Sequence, residues 1–209
     1  MSAPFIKICG LQTAETVRVA VDSGADAVGF VFAPGSPRTV SAERAAELGA
    51  EVDPGVETVG VFRNQDISEV LNIARRAALT TVQLHGNETV SDLERVEGEG
   101  FRTMRALSAP AYAALAAGER RAWEGRRLLL DAVEPGAGEV FDAAVLGGEL
   151  PRGFWLLAGG LNPGNVAGLI AALGPAGVDV SSGVESSRGV KDPGLIRAFI
   201  AAARGASTP

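Results

Sequence analysis

The chain has 209 residues, 46 % of them hydrophobic and 21 % charged, and its 19 Lys and Arg against 25 Asp and Glu leave a net charge of −6. That acidic balance, with no long basic cluster, argues against nucleic acid or an anionic membrane as a partner. A single Cys and a single His exclude an internal disulfide framework, fit a reducing compartment and speak against a Cys/His metal centre.

In chain order, apolar and β-branched runs predict eight strands. They fall at Phe5–Cys9, Ala27–Phe32, Glu57–Phe62, Thr80–His85, Phe101–Leu107, Arg127–Asp131, Phe154–Ala158 and Gly177–Ser181. Several are apolar almost throughout, the pattern of strands covered on both faces of a parallel sheet. Helical periodicity lies between them: Thr13, Val17, Ala20 and Val21 share one face, as do Ile67, Val70, Leu71, Ala74 and Ala78. Asp66 with Glu69, and Thr89 with Asp92, have the spacing of capping boxes. The run from Gly153 to Val178 carries no charge and has the length of a membrane span. Gly159, Gly160, Asn162, Pro163, Gly164 and Pro175 divide it into strand, turn and helix instead. The start of the chain lacks the basic and apolar stretches of a signal peptide, so a soluble, cytoplasmic protein without membrane contact is expected.

Strand and helix alternating eight times predict an α/β fold, a single-domain (β/α)8 TIM barrel over residues 1–205 with a tail at 206–209. A doubly wound open sheet is the alternative. Helix faces that read as ordinary surface make a monomer the expectation, with a dimer as the alternative. In a barrel the chemistry sits at the C-terminal strand ends, which here carry Cys9, Arg38, Arg63, Asn64, His85, Ser108, Asp131, Gly159–Asn162 and Ser181–Glu185.

Alternation along the first strand turns Lys7 and Cys9 inward and Ile6 and Ile8 toward the helices. Lys7, one layer below, is then the cation that favours a Cys9 thiolate, and Asp179 is its candidate counter-ion. The plain alternative is a small buried thiol above a paired core lysine. Alternation also points Leu129 and Asp131 inward, so Asp131 faces Cys9 across the mouth; a helix cap or a loop ion pair is the competing reading. Gln83 and His85 share an inward face, which makes His85 either a ligand contact or a structural histidine. Arg38, just before the second helix, is suited to grip a carboxylate bidentately, or else is a solvated loop arginine. The segment Glu134–Glu139 reads as a loop able to close over a ligand. The glycine-rich stretches Leu157–Pro163 and Val178–Glu185 follow strands seven and eight, the usual phosphate site of this fold; the competing reading is two tight turns.

Together these segments resemble phosphoribosylanthranilate isomerase. The resemblance rests on Lys7-Ile8-Cys9-Gly10, on Gly24–Phe32 with Ser36-Pro37-Arg38, on Val59–Phe62, on Val82–Gly86, on Leu129–Asp131, and on the two glycine-rich stretches. The sixth-strand loop departs from the family pattern: it reads Gly136-Ala137-Gly138-Glu139, and Phe141-Asp142 precedes Ala143 rather than Trp. The resemblance implies an Amadori rearrangement of N-(5-phosphoribosyl)anthranilate to the 1-deoxyribulose 5-phosphate in tryptophan biosynthesis, with no metal or organic cofactor. It implies Cys9 as general base and Asp131 as general acid. Lys7, Arg38, Gln83 and His85 are the expected substrate contacts, and Gly159, Gly160, Ser181, Ser182 and Gly183 the phosphate contacts. An acid/base pair of this kind calls for a raised pKa on Asp131 and a lowered one on Cys9. Two rivals remain: a histidine-pathway aldose–ketose isomerase, which generally places Asp where this chain has Cys9, and a non-catalytic phosphate-binding barrel, which needs neither acid nor base.

Overall fold

A computed structural model describes residues 3–123, 125–131 and 150–206. All eight expected strands are present as β1 (Phe5–Cys9), β2 (Ala27–Val31), β3 (Glu57–Phe62), β4 (Thr81–Leu84), β5 (Arg102–Ser108), β6 (Leu128–Asp131), β7 (Trp155–Leu157) and β8 (Gly177–Val180). They are parallel, pair in sequence order, and close into a barrel when β8 meets β1. The open-sheet alternative is thereby excluded. Between them run α1 (Ala14–Asp22), α2 (Ala42–Gly49), α3 (Ile67–Arg76), α4 (Val90–Gly98), α5 (Ala109–Ala114), α6 (Ala117–Trp123) and α7 (Val166–Leu173), with α8 (Pro193–Arg204) after β8. The segment after β6, including the expected loop at 134–139 and Phe141–Ala143, lies outside the described residues, as do 207–209 of the expected tail. No helix among the described residues is long and apolar enough to cross a membrane, and the uncharged run forms β7, α7 and the start of β8.

Side-chain alternation divides the barrel into two apolar compartments. Ile6, Ile8, Val28, Phe30, Val82, Leu128 and Leu130 face outward into the layer they share with the helices. Met104, Ala106, Leu129, Leu156 and Ala158 fill the interior, with Cys9, Val31 and Val61 forming a separate cluster. Fully burying a side chain of the Leu or Phe size stabilises the fold by about 1.5–3 kcal/mol, so this double layer carries most of the stability. The floor is closed by Arg127, whose guanidinium lies 5.3 Å from the Phe5 ring and 4.7 Å from the Phe154 ring and is held by Glu57 at 2.8 Å.

Helix starts follow local chemistry. Thr13 and Ser41 accept from the amides three residues on, and Thr89 with Asp92 forms the expected reciprocal box. The expectation at Asp66 is half right: it caps α3, but it accepts from Ser68 N at 2.8 Å rather than sharing a box with Glu69, whose carboxylate meets Gln65. A short antiparallel hairpin, β9 (Glu185–Ser187) and β10 (Val190–Lys191), follows β8 where the sequence suggested only a loop. Its pattern is too short and too polar to announce a strand pair.

Candidate active site

The C-terminal strand ends surround a cavity of about 320 Å³. Cys9, Gln83, His85, Asp131 and Arg38 all line it, together with Gly159, Gly160, Ser181, Ser182 and Gly183. Cys9 and Asp131 therefore face one space, although they leave strands that are not neighbours. Of the expected contacts, Lys7 alone stays out of the lining. It sits beneath, with no exposed surface, and donates to Asp179 at 2.7 Å. The register Lys7↔Asp179 across the β1–β8 seam makes that pairing, so the assignment of Asp179 as counter-ion holds.

The electrostatics of Cys9 differ from expectation. Burial pushes the thiol up, and the Asp179 carboxylate adds to this; Lys7 and Lys191 pull it down without prevailing. Burial would lower the Lys7 ammonium, but Asp179 and Cys9 outweigh that effect and hold it above its ordinary range. The lysine is thus already committed to a carboxylate, and the lowered thiol pKa anticipated from Lys7 alone is overturned for the free protein. Alkylation by iodoacetamide should accordingly rise steadily as the pH passes about 8.5, the ordinary thiol value. A plateau reached near neutrality would contradict this environment.

Asp131 ends β6 with its Oδ2 3.6 Å from His85 Nε2. His85 Nδ1 lies 3.3 Å from Gln83 Nε2, and the Gln83 Oε1 atom, also buried, has no partner among the described residues. The His85 turn is held from behind. Arg105 donates to the carbonyls of Leu84 and Gly86 at 2.9 and 2.7 Å and to Glu88 at 3.0 Å. Glu88 in turn accepts from the amides of Asn64 and Gly86, both at 2.7 Å. This buried network fixes the ends of β3 and β4, so Asn64 acts in the scaffold. Ser108 is likewise structural, capping α5 through Ala111 N at 3.2 Å.

The β7 loop is stitched by side-chain amides. Asn165 donates to Gly160 O at 3.0 Å and accepts from Asn162 N at 2.8 Å. The amides of Gly159 and Gly160 have no acceptor among the described residues, an arrangement suited to an anion. Gly183, in the β8 loop, lies against the loop that follows β7: a Cβ there would fall 1.7 Å from Leu161 O. Gly183→Ala should therefore displace one loop or the other. Overpacking of this kind costs about 1–3 kcal/mol, which should appear as a loss of several degrees in Tm together with about a tenfold rise in KM for a phosphorylated ligand. An unchanged KM would remove this loop from the binding site.

Arg38 is not a solvated loop arginine. Its Nε and Nη2 donate to Glu185 at 2.6 and 2.9 Å. That side-on fork is occupied; the end-on fork of Nη1 and Nη2 still presents donors for a second carboxylate. Gly10, with φ of +76°, passes directly under the Arg38 stem, where a Cβ would meet Arg38 Cδ at 2.7 Å. Lys191 escapes a reading based on strand ends, and Glu185, which such a reading includes, receives no role from it. Glu185 stood within a glycine-rich stretch, and a lone lysine in a loop usually signals solvent. Burial would raise the Glu185 carboxyl, but bonds from Arg38, Lys191 and the Gly189 amide hold it down at about 2. Arg63 and Arg188, which form no ion pair among the described residues, add positive charge to the cavity rim. Among the described residues no group of three His, Cys, Asp or Glu side chains is placed to hold a metal ion.

Comparison with known proteins places this arrangement in a family. The family model described as N-(5'phosphoribosyl)anthranilate (PRA) isomerase matches residues 6–202. The N-(5'-phosphoribosyl)anthranilate isomerase of Paramagnetospirillum magneticum is 46 % identical over 209 residues, covering 96 % of this chain and 97 % of its own. Among solved structures, TrpF from Jonesia denitrificans superposes with a TM-score of 0.86 at 43 % identity, covering 99 % of this chain and all of its own. A phosphoribosyl anthranilate isomerase in complex with reduced 1-(o-carboxyphenylamino)-1-deoxyribulose 5-phosphate gives 0.82 at 36 % identity, covering 97 % and 99 %.

Proposed function

Because the chain belongs to the N-(5'-phosphoribosyl)anthranilate isomerase family, we propose that it carries out the Amadori rearrangement of tryptophan biosynthesis with Cys9 as general base and Asp131 as general acid. The observation that carries these roles is the shared cavity: a thiol on β1 and a carboxyl group on β6 face one space bordered by two glycine-rich loops. Family membership favours this reaction over the histidine-pathway isomerase and over a non-catalytic barrel.

The steps follow from the residue types. A protonated Asp131 gives its proton to the ribose ring oxygen as the ring opens, leaving an iminium at C1. The iminium acidifies the hydrogen on C2, and the Cys9 thiolate removes it to give the enolamine. Tautomerisation yields the ketone, so atoms and charge balance without an external oxidant or reductant. Cys9 is held in its neutral form by burial in the free protein. As the ring opens, the positive charge of the iminium favours the thiolate, and the thiol releases its proton to solvent before the sulfur takes the C2 hydrogen. The base is thereby armed when the iminium forms. The amides of the β7 and β8 loops take the phosphate, and the open fork of Arg38 takes the anthranilate carboxylate.

The test is the decay of phosphoribosylanthranilate fluorescence on adding the protein, with Cys9→Ala as control. Decay with the parent chain and none above background with the variant is expected. Equal rates for the two would overturn the assignment of Cys9.

A further inference from the structure

Glu185 is unusual for a group beside an anion-binding cavity. It is a carboxylate with a 4 % exposed side chain, and it does not line the cavity itself. It stands behind Arg38 and collects four donors: Arg38 Nε and Nη2, Lys191 Nζ at 2.7 Å and the Gly189 amide at 2.9 Å. Lys191, 2 % exposed, has two further bonds, to Ser181 O at 2.8 Å and Ser181 Oγ at 3.1 Å. One buried ion pair on the β9–β10 hairpin thus grips Arg38 on one side and Ser181 on the other. The hairpin also packs on the Arg38 loop, Gly189 lying against Pro37.

Breaking a buried ion pair is costly, whereas replacing both partners by apolar residues is often neutral. Stability alone therefore explains poorly why three charges are gathered here. Their geometry supplies a better reason. Glu185 takes one fork of Arg38 and so fixes the direction of the other, while neutralising one of two adjacent cations that would otherwise repel. Lys191 transfers that constraint to the loop bearing Ser181, Ser182 and Gly183.

We infer that Glu185 and Lys191 are positioning residues that set the distance between the carboxylate-gripping fork of Arg38 and the phosphate loop, and with it the preference for a substrate carrying an aromatic carboxylate. This rests on the reading of Arg38 and of the β8 loop given above. Glu185 acts on the carboxylated end of the substrate through Arg38; Lys191 acts on the phosphate end through Ser181.

The test compares the natural substrate with its aniline analogue, which lacks the carboxylate, and measures competitive inhibition by inorganic phosphate. In Glu185→Gln the preference of kcat/KM for the carboxylated substrate should fall about tenfold or more, the loss expected when a charge-assisted bond no longer directs Arg38, and the change should lie mainly in KM. Glu185→Asp, which keeps the charge, should recover part of it. Lys191→Gln should retain the preference and raise the phosphate inhibition constant several-fold. If both neutral variants lose the two properties equally, or Glu185→Gln retains its preference, the inference is overturned. Arg38→Ala separates this from failure of the underlying reading: preference intact in that variant shows that Arg38 does not hold the carboxylate at all.

Discussion

Replacement of Cys9 by Ala is expected to lower kcat by at least about 10²-fold, since a general acid or base typically contributes about 10²–10⁴. The site makes this a sharp experiment. Cys9 is 7 % exposed and packs with Val31 and Val61, so removing one sulfur leaves a small gap and little change in the fold. Asp131→Asn should cause a loss of similar size. The amide keeps the shape of the side chain beside His85 but cannot hand over an acidic proton. Single-turnover measurements would locate the two losses: with Asn at 131 the ring should not open, and with Ala at 9 the C2 hydrogen should not exchange with solvent. Near-parental kcat in either variant removes that residue from its role, whatever happens to KM.

A second large effect is expected on stability. Lys7 is fully buried, and Lys7→Met would leave the Asp179 carboxylate, 8 % exposed, without its partner. Removing one member of a buried pair costs about 3–5 kcal/mol, and each kcal/mol lowers Tm by about 2–4 °C in a chain of this size. A fall of at least about 6 °C is expected. The double variant Lys7→Met, Asp179→Asn should lose much less than the two single changes combined, because neither then strands a charge. Strict additivity would show that the pair contributes no coupling. The sign of the pH effect follows from the raised Lys7 pKa: the folded state binds this proton more tightly than the unfolded chain does. The contribution is therefore complete below the ordinary lysine value of about 10.4 and is lost only as the pH rises through the higher folded value.

The features legible in the sequence are those that depend on alternation. Ile6, Lys7, Ile8 and Cys9 take opposite faces of β1 because a strand does so whatever surrounds it, and an apolar β2 signals cover on both sides. Barrel closure then turned a pairing of residues 172 apart, Lys7 with Asp179, into neighbours across a seam. Two things were hidden for physical reasons. The state of the Cys9 thiol depends on competition between desolvation and three charges, and position along a strand carries only part of that balance. The Arg38–Glu185–Lys191 cluster depends on a six-bond convergence of loops and a two-residue strand, and solvated arginines and lysines have the same sequence appearance as buried ones. The most informative signal was the acidic residue closing the β8 glycine-rich stretch, a poor choice beside bound phosphate unless something cationic already holds it.

Gly29, the β2 partner of Cys9 in the ladder, bears on how this centre can change over time. A methyl group there would come within 3.0 Å of the Cys9 sulfur and 3.2 Å of the Lys7 nitrogen. Enlarging position 29 would require the Cys9 sulfur and the Lys7 ammonium to give way by a few tenths of an ångström, so substitutions at 9 and 29 are expected to be coupled. A residue that lies outside the cavity lining and bears no functional group thus limits where the proposed general base can sit.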